Sequence, residues 1–215
     1  MSDFRIKTMV LGAVGTCCYI VYNESTKRAV IVDPADGAGY IEGKCLELNV
    51  KPEAILLTHG HFDHILAVPE LKKKLGIPVY APEKEAAMLA DPSLSLTQGF
   101  SAPAVTVKPD VLLKDGQEFD LAGFHWKIMA TPGHTAGSAC YYVESEKVLL
   151  SGDTLFRDSY GRTDLPTGSS REIAASINRL LFSLPGDTMV YPGHGEPTTI
   201  AYEKAYNPIA VYGGV

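Results

Sequence analysis

The sequence predicts a layered α/β fold in which two β-sheets stack between outer helices. Short apolar runs with strand character recur in both halves of the 215 residues, and helical patterns interleave with them. No repeat, low-complexity tract or linker divides the chain, so residues 1–215 read as one domain, within the size range of a single well-buried core. A doubly wound sheet satisfies the same pattern, because each apolar run is too short to say whether a second sheet or a helix covers it.

Taken in order, apolar alternation marks strands at 17–21 and 29–32, and a helical pattern follows at 40–48. The run 54–57 is strand-like. A helix is expected to start at His64 and run through 65–75, followed by a strand at 79–80 and a helix at 83–89. The Pro- and Ser-rich stretch 91–110 has no periodicity and is expected to be a long loop near the mouth of a site, since loops of that length are often functional. Strands are then expected at 124–130, 139–143, 148–150 and 189–191, and helices at 170–182 and 198–206.

A net charge of −6 and a pI near 5.5 leave no basic face for nucleic acid. No apolar run approaches the roughly 20 residues of a membrane span. The beginning, Met1-Ser2-Asp3-Phe4-Arg5-Ile6-Lys7, has no charged-then-apolar leader, so a cytoplasmic location is expected. Four cysteines, two of them adjacent at Cys17 and Cys18 and none in a Cys-x-x-Cys pair, suit buried thiols in a reducing compartment.

Chemistry concentrates in Thr58-His59-Gly60-His61-Phe62-Asp63-His64, directly after the apolar run 54–57. Imidazole and carboxylate are ordinary ligands of zinc, iron and manganese, and no thiol is among them. In an extended segment alternate residues share a side, so His59, His61 and Asp63 are expected on one side. His64, as the first residue of a helix, would turn toward a different point, and one segment could serve two metals. Three more polar groups also follow strand-like runs: His134 after 126–130, Asp153 after 148–150 and His194 after 188–190. Ligand sites in layered α/β proteins form beyond the carboxyl ends of strands, and Gly133, Gly152 and Gly193 allow the close backbone approach such loops need. His125, inside 124–128, reads as a strand residue facing solvent or a polar neighbour, with no metal role.

These residues resemble the metallo-β-lactamase superfamily. Thr58 to His64 looks like its metal-binding signature, and His134, Asp153 and His194 follow in the family's order. Thr131-Pro132-Gly133-His134-Thr135-Ala136-Gly137-Ser138, Ser151-Gly152-Asp153-Thr154-Leu155-Phe156 and Tyr191-Pro192-Gly193-His194-Gly195 are similar to glyoxalase II, the hydroxyacylglutathione hydrolases. The resemblance is to a short form without the C-terminal helical region that helps hold glutathione, since the sequence ends at Val215, soon after His194.

The resemblance implies an αββα sandwich of two mixed sheets flanked by helices. It implies two divalent ions, zinc first with iron or manganese also compatible. One would be held by His59, His61 and His134, the other by Asp63, His64 and His194, with Asp153 bridging them. Two cations about 3.5–4 Å apart can clamp a water and lower its pKa from near 16 toward ~7. The implied reaction is attack of that hydroxide on a small-molecule thioester such as S-lactoylglutathione, with no Ser or Cys nucleophile. Arg162, in Gly161-Arg162-Thr163-Asp164, stands where the family has a basic residue near the substrate; it is a candidate for a substrate carboxylate or a structural partner of Asp164.

Four other functions bear on the same residues. Glutathione persulfide dioxygenases share the Gly161 to Asp164 pattern and imply one iron on His59, His134 and Asp153, but Pro192-Gly193-His194-Gly195-Glu196 sides with the hydrolase. A lactone or ester hydrolase would use the same hydroxide. Zinc β-lactamases commonly carry a cysteine where Asp153 stands, which together with the missing leader argues against a secreted β-lactamase. A binding module without chemistry is opposed by the full set of seven candidate ligands.

Overall fold

In the computed structural model, which describes residues 2–101 and 103–212, every central strand is buried on both faces, and its alternation decides which layer each side chain enters. The first sheet comprises β1 (Phe4–Leu11), β2 (Thr16–Asn23), β3 (Arg28–Val32), β4 (Lys51–Leu56), β5 (Val79–Pro82) and β6 (Val111–Leu113), in that spatial order. It opens antiparallel, and from β3 onward its neighbours run parallel. β7 (Glu118–Leu121), β8 (Phe124–Ala130), β9 (Ala139–Val143) and β10 (Val148–Gly152) belong to the second sheet. β11 (Leu155–Phe156) and β12 (Ser159–Tyr160) form a separate small hairpin, and β13 (Met189–Pro192) and β14 (Thr198–Thr199) complete the second sheet in the order β14-β13-β10-β9-β8-β7. Of its neighbours, only β10 and β13 run parallel.

The helices are α1 (Ala38–Glu47), α2 (Phe62–Ile65), α3 (Val68–Leu75), α4 (Ala86–Ala90), α5 (Thr97–Phe100), α6 (Ser170–Ser183), α7 (Ile200–Tyr206) and α8 (Pro208–Tyr212). Ile20, Ile31 and Ile55 pack outward with Ile41 of α1 and Leu71 of α3. Their strand neighbours Val21, Val30 and Leu56 point inward to Trp126, Tyr141 and Leu150 of the second sheet. Tyr142, Leu149 and Val190 then face Ile173, Ile177 and Leu181 of α6. The layers are therefore helix, sheet, sheet, helix, which selects the αββα arrangement over the doubly wound sheet. The continuous apolar runs of β2, β3, β9 and β10 reflect burial on both faces of these strands, as in fully covered sheets.

Several expected elements differ. The helix expected over 65–75 is two pieces, because Pro69 lacks an amide hydrogen and fits only at the start of a helix; α3 begins there and ends at Gly76 in the left-handed conformation. The helix expected from 198 starts instead as β14, whose Thr199 then caps α7 by accepting from the Tyr202 amide at 3.2 Å. The helix expected at 83–89 opens with a tighter turn over Glu83–Glu85. The long loop at 91–110 contains α5, whose Phe100 stacks on Phe62 with ring centroids 3.7 Å apart. No helix among the described residues is long and apolar enough to cross a membrane.

Trp126 sits between the sheets with no exposed surface and donates its indole hydrogen to the Leu121 carbonyl at 3.0 Å. Trp126→Ala is expected to cost ~3–5 kcal/mol, read as a lower midpoint in urea unfolding. A midpoint unchanged from wild type would contradict the inter-sheet packing described here.

Candidate metal centre

Cross-sheet hydrogen bonds close one edge of the sandwich and bring its loops together. Tyr141 of β9 donates its phenol to the Leu57 carbonyl at 2.8 Å, and the Ala139 amide donates to the Thr58 carbonyl at 3.0 Å. Tyr19 of β2 donates to the Pro192 carbonyl at 2.5 Å, and the Cys17 amide to the Gly193 carbonyl at 2.7 Å. Burial pushes both phenols up, so they remain donors. The loops leaving β4, β8, β10 and β13, with His59–His64, His134, Asp153 and His194, meet at this edge. Gly193 fits there because a Cβ would lie 2.0 Å from Asp153 Oδ1; Gly152, at φ +49°, packs where a Cβ would meet Thr58 Oγ1 at 2.4 Å.

All seven predicted residues come together. Nitrogens of His59, His61 and His134 lie within 4.8 Å of one another, as do ligand atoms of His59, His64 and Asp153, and of Asp63, His64 and His194. The expectation that Asp63 shares a side with His59 and His61 is corrected: the extended segment ends at His61 and α2 begins at Phe62. Helical geometry turns Asp63 toward His64, with Oδ2 3.4 Å from His64 Nε2 and 3.2 Å from His194 Nε2. His64 is inside this helix and not at its start. Asp153 lies between the groups, with Oδ1 3.4 Å from His64 Nε2 and Oδ2 3.5 Å from both His134 Nε2 and His194 Nε2.

The hydrogen bonds select tautomers. His64 Nδ1 faces Asp33 Oδ2 at 3.0 Å, and His134 Nδ1 faces the Arg162 carbonyl at 2.7 Å. His59 Nδ1 lies 3.1 Å from Thr58 Oγ1, a hydroxyl that donates to Asp33 Oδ2. With the proton on Nδ1 in all three, each Nε2 presents a lone pair to the centre, the arrangement by which protein groups orient metal-binding histidines. His61 is reversed, its Nδ1 aimed at His134 Nε2 at 2.8 Å. Nε2 of His59 and His64 and Oδ1 of Asp153 are buried without any hydrogen-bond partner. Buried polar atoms in proteins are as a rule paired, so this converging set of bare acceptors, with His61 Nε2 also unpartnered beside it, fits one or more cations.

Electrostatics agree. Burial, with the neighbouring imidazoles, holds His59 well below its ordinary range and His61 at about 3, and burial lowers His134. These three are neutral imidazoles, the form that can bind a metal. Burial would raise Asp63 and Asp153, but the facing histidines outweigh it; Asp63 falls to about 2 and Asp153 is held well below the usual carboxylate range. Burial disfavours charge on His64 and His194 too, yet Asp63 and Asp153 pull His64 well up and His194 to about 9. Carboxylates that favour a proton here favour a metal cation equally.

A cleft of about 390 Å³ opens over the centre, walled by Val14, Phe62, Leu96, Phe156, Tyr160 and Leu165. Leu96 belongs to the 91–110 segment, which does reach the mouth. Arg162 lines the cleft and is clasped by Asp164 through Nε at 2.7 Å and Nη2 at 2.6 Å. His125 is exposed and pairs with Asp120 on the neighbouring strand, away from the cleft lining. Sequence reasoning missed Asp33, which also accepts from the Thr58 amide at 2.8 Å. Its signal was an acidic residue ending the apolar strand 29–32, followed by Pro34. Thr16, whose hydroxyl donates to Asp63 Oδ2 at 2.6 Å, carried no signal.

The profile of the metallo-beta-lactamase superfamily matches residues 11–194. A probable metallo-hydrolase of Bacillus subtilis, YqgX, is 37% identical over 203 residues, 94% of this chain and 95% of that one. Hydroxyacylglutathione hydrolase GloC of Haemophilus influenzae is 33% identical over 193 residues, 89% of this chain and 91% of its own. The crystal structure of BLEG-1 B3 metallo-beta-lactamase superposes with a TM-score of 0.90 at 41% identity, over 96% of this chain and 100% of that one. That of TTHA1623 in a di-iron-bound form gives 0.82 at 34% identity, over 94% and 98% of the two chains. ETHE1 from Myxococcus xanthus gives 0.77 at 29% identity, over 96% and 84%.

Asp33→Asn tests the orientation of His64. Asparagine tolerates the φ of +48° found at Asp33, but loses the charge facing His64 Nδ1. Zinc affinity, measured by competition with a chelator, is expected to fall ~10–100-fold with an unchanged circular dichroism spectrum. Wild-type affinity would remove Asp33 from this role.

Proposed function

The chain belongs to the metallo-β-lactamase superfamily, and from that membership we propose that it is a dinuclear metallohydrolase of a small-molecule thioester resembling hydroxyacylglutathione. The observation that carries the reading is the division of the ligand atoms into an imidazole group and a mixed group, with Asp153 between them. In this assignment His59, His61 and His134 hold one ion, Asp63, His64 and His194 hold the second, and Asp153 spans both. Nitrogen and carboxylate donors suit zinc, with iron or manganese as alternatives. Similarity to TTHA1623 in its di-iron-bound form supports two ions. The name of the Haemophilus relative supports the thioester.

Such a pair of ions supplies hydroxide at neutral pH and polarises a carbonyl. The protein's own groups prepare the site for it. Asp63 and Asp153 remain ionised, and the apolar cleft walls shed water around the acyl group. Cys17, near the centre, is no competing nucleophile, because burial raises its thiol pKa. Arg162 is assigned to a substrate carboxylate, which would exchange with the solvent-screened Asp164. Four buried free cysteines support a cytoplasmic location. A second reading, β-lactam hydrolysis, is favoured by the likeness to BLEG-1.

Protein purified without chelator is expected to carry close to two metals per chain, to cleave S-lactoylglutathione, and to show neither glutathione-persulfide-dependent oxygen uptake nor faster cleavage of a β-lactam. One iron with oxygen uptake would replace the hydrolase by a mononuclear oxygenase. His59→Ala is expected to release metal and lower activity by more than about 100-fold, beyond the cost of losing an outer partner, while His125→Ala leaves both near wild type. Full activity in metal-free His59→Ala protein would defeat the mechanism.

A further inference from the structure

Glu85 is a carboxylate with 1% exposure, at the end of the turn Glu83–Glu85 that follows β5. No cation faces it. Its Oε2 accepts from the Gly60 amide at 2.8 Å, and its Oε1 accepts from the Thr135 hydroxyl at 2.7 Å. The Gly137 amide is a further donor to it. The first donor sits between His59 and His61, and the second adjoins His134. One buried side chain therefore joins the two loops that carry the imidazole group, one loop from each sheet. Both loops are shaped to admit it: a Cβ at Gly60 would lie 3.0 Å from Oε2, and one at Gly137 would lie 2.5 Å from Oε1.

Burying an unpaired carboxylate is costly unless every oxygen is served, and Glu85 is served by two backbone amides and a hydroxyl. Packing alone would be met by an apolar residue of similar volume at no such cost. We propose that Glu85 is a positioning residue that sets the spacing of His59 and His61 against His134, and so determines the affinity of the imidazole group for its ion. The inference rests on the metal reading above. It predicts a local effect, because no bond from Glu85 reaches Asp63, His64 or His194.

The test is zinc titration of chelator-stripped full-length protein against a competing chelator, on wild type, Glu85→Ala, Glu85→Gln and His61→Ala. His61→Ala identifies which binding step belongs to the imidazole group. Glu85→Ala is expected to weaken that step ~10–100-fold and leave the other unchanged. Glu85→Gln, which keeps one acceptor for Gly60 and can donate to the Thr135 oxygen, is expected to recover most of the loss. Unfolding of the stripped proteins in urea separates a folding defect from a positioning one. Wild-type affinity at both steps in Glu85→Ala, or equal weakening of both steps in Glu85→Gln, would overturn the proposal. Wild-type protein that binds one zinc would defeat the dinuclear reading alone, and the comparison of Glu85 variants at the remaining step would still decide the role of this residue.

Discussion

The closure of the two sheets at one edge is the constraint on which everything else depends. His59, His61, Asp63 and His64 belong to the first sheet's connections, and His134, Asp153 and His194 to the second's. Neither set is complete alone. The phenols of Tyr19 and Tyr141 and the amides of Cys17 and Ala139 bind each sheet to carbonyls at the other's loop starts, and these bonds fix the gap across which the two sets face each other. Each bond ends on backbone, so it fixes the path of a loop and leaves the loop's side chains free to serve the centre.

The centre is electrostatically unfinished by protein atoms alone. Five imidazoles crowd together, and burial keeps three of them neutral while carboxylates draw positive charge to the other two. Asp33 receives the Thr58 amide, the Thr58 hydroxyl and His64 Nδ1, so one buried carboxylate orients two histidines, His64 directly and His59 through the hydroxyl. The left-handed backbone at Asp33 is uncommon outside glycine, though aspartate and asparagine adopt it more readily than most residues, and these bonds hold it there.

Much of this was legible in the sequence. Short apolar runs located the central strands, and histidines after those runs located the centre. What stayed hidden has physical causes. β1 was missed because it is a sheet edge whose Arg5, Lys7 and Thr8 face solvent, so it never reads as an apolar run. Asp63 was placed on the wrong side because nothing in a seven-residue loop shows where an extended segment becomes helical. Pro69 did mark a helix boundary, but continuous apolar periodicity across 65–75 obscured it. Asp33 and Glu85 act over 25 residues or more in each of their bonds to the His59–His64 loop, and such pairings leave no local periodicity.

The hairpin of β11 and β12 belongs to neither main sheet, yet with Phe156, Ser159 and Tyr160 it walls the cleft. It is held from behind, where Glu203 accepts from the Asp158 amide and Asn207 donates to the Ser159 carbonyl. This part of the cleft wall is thus braced by α7 and the residue that follows it, outside the two sheets whose loops carry the seven converging side chains. The shape of the cleft is therefore open to revision at Ser159 and Tyr160, two exposed positions that none of the converging side chains uses as a hydrogen-bond partner.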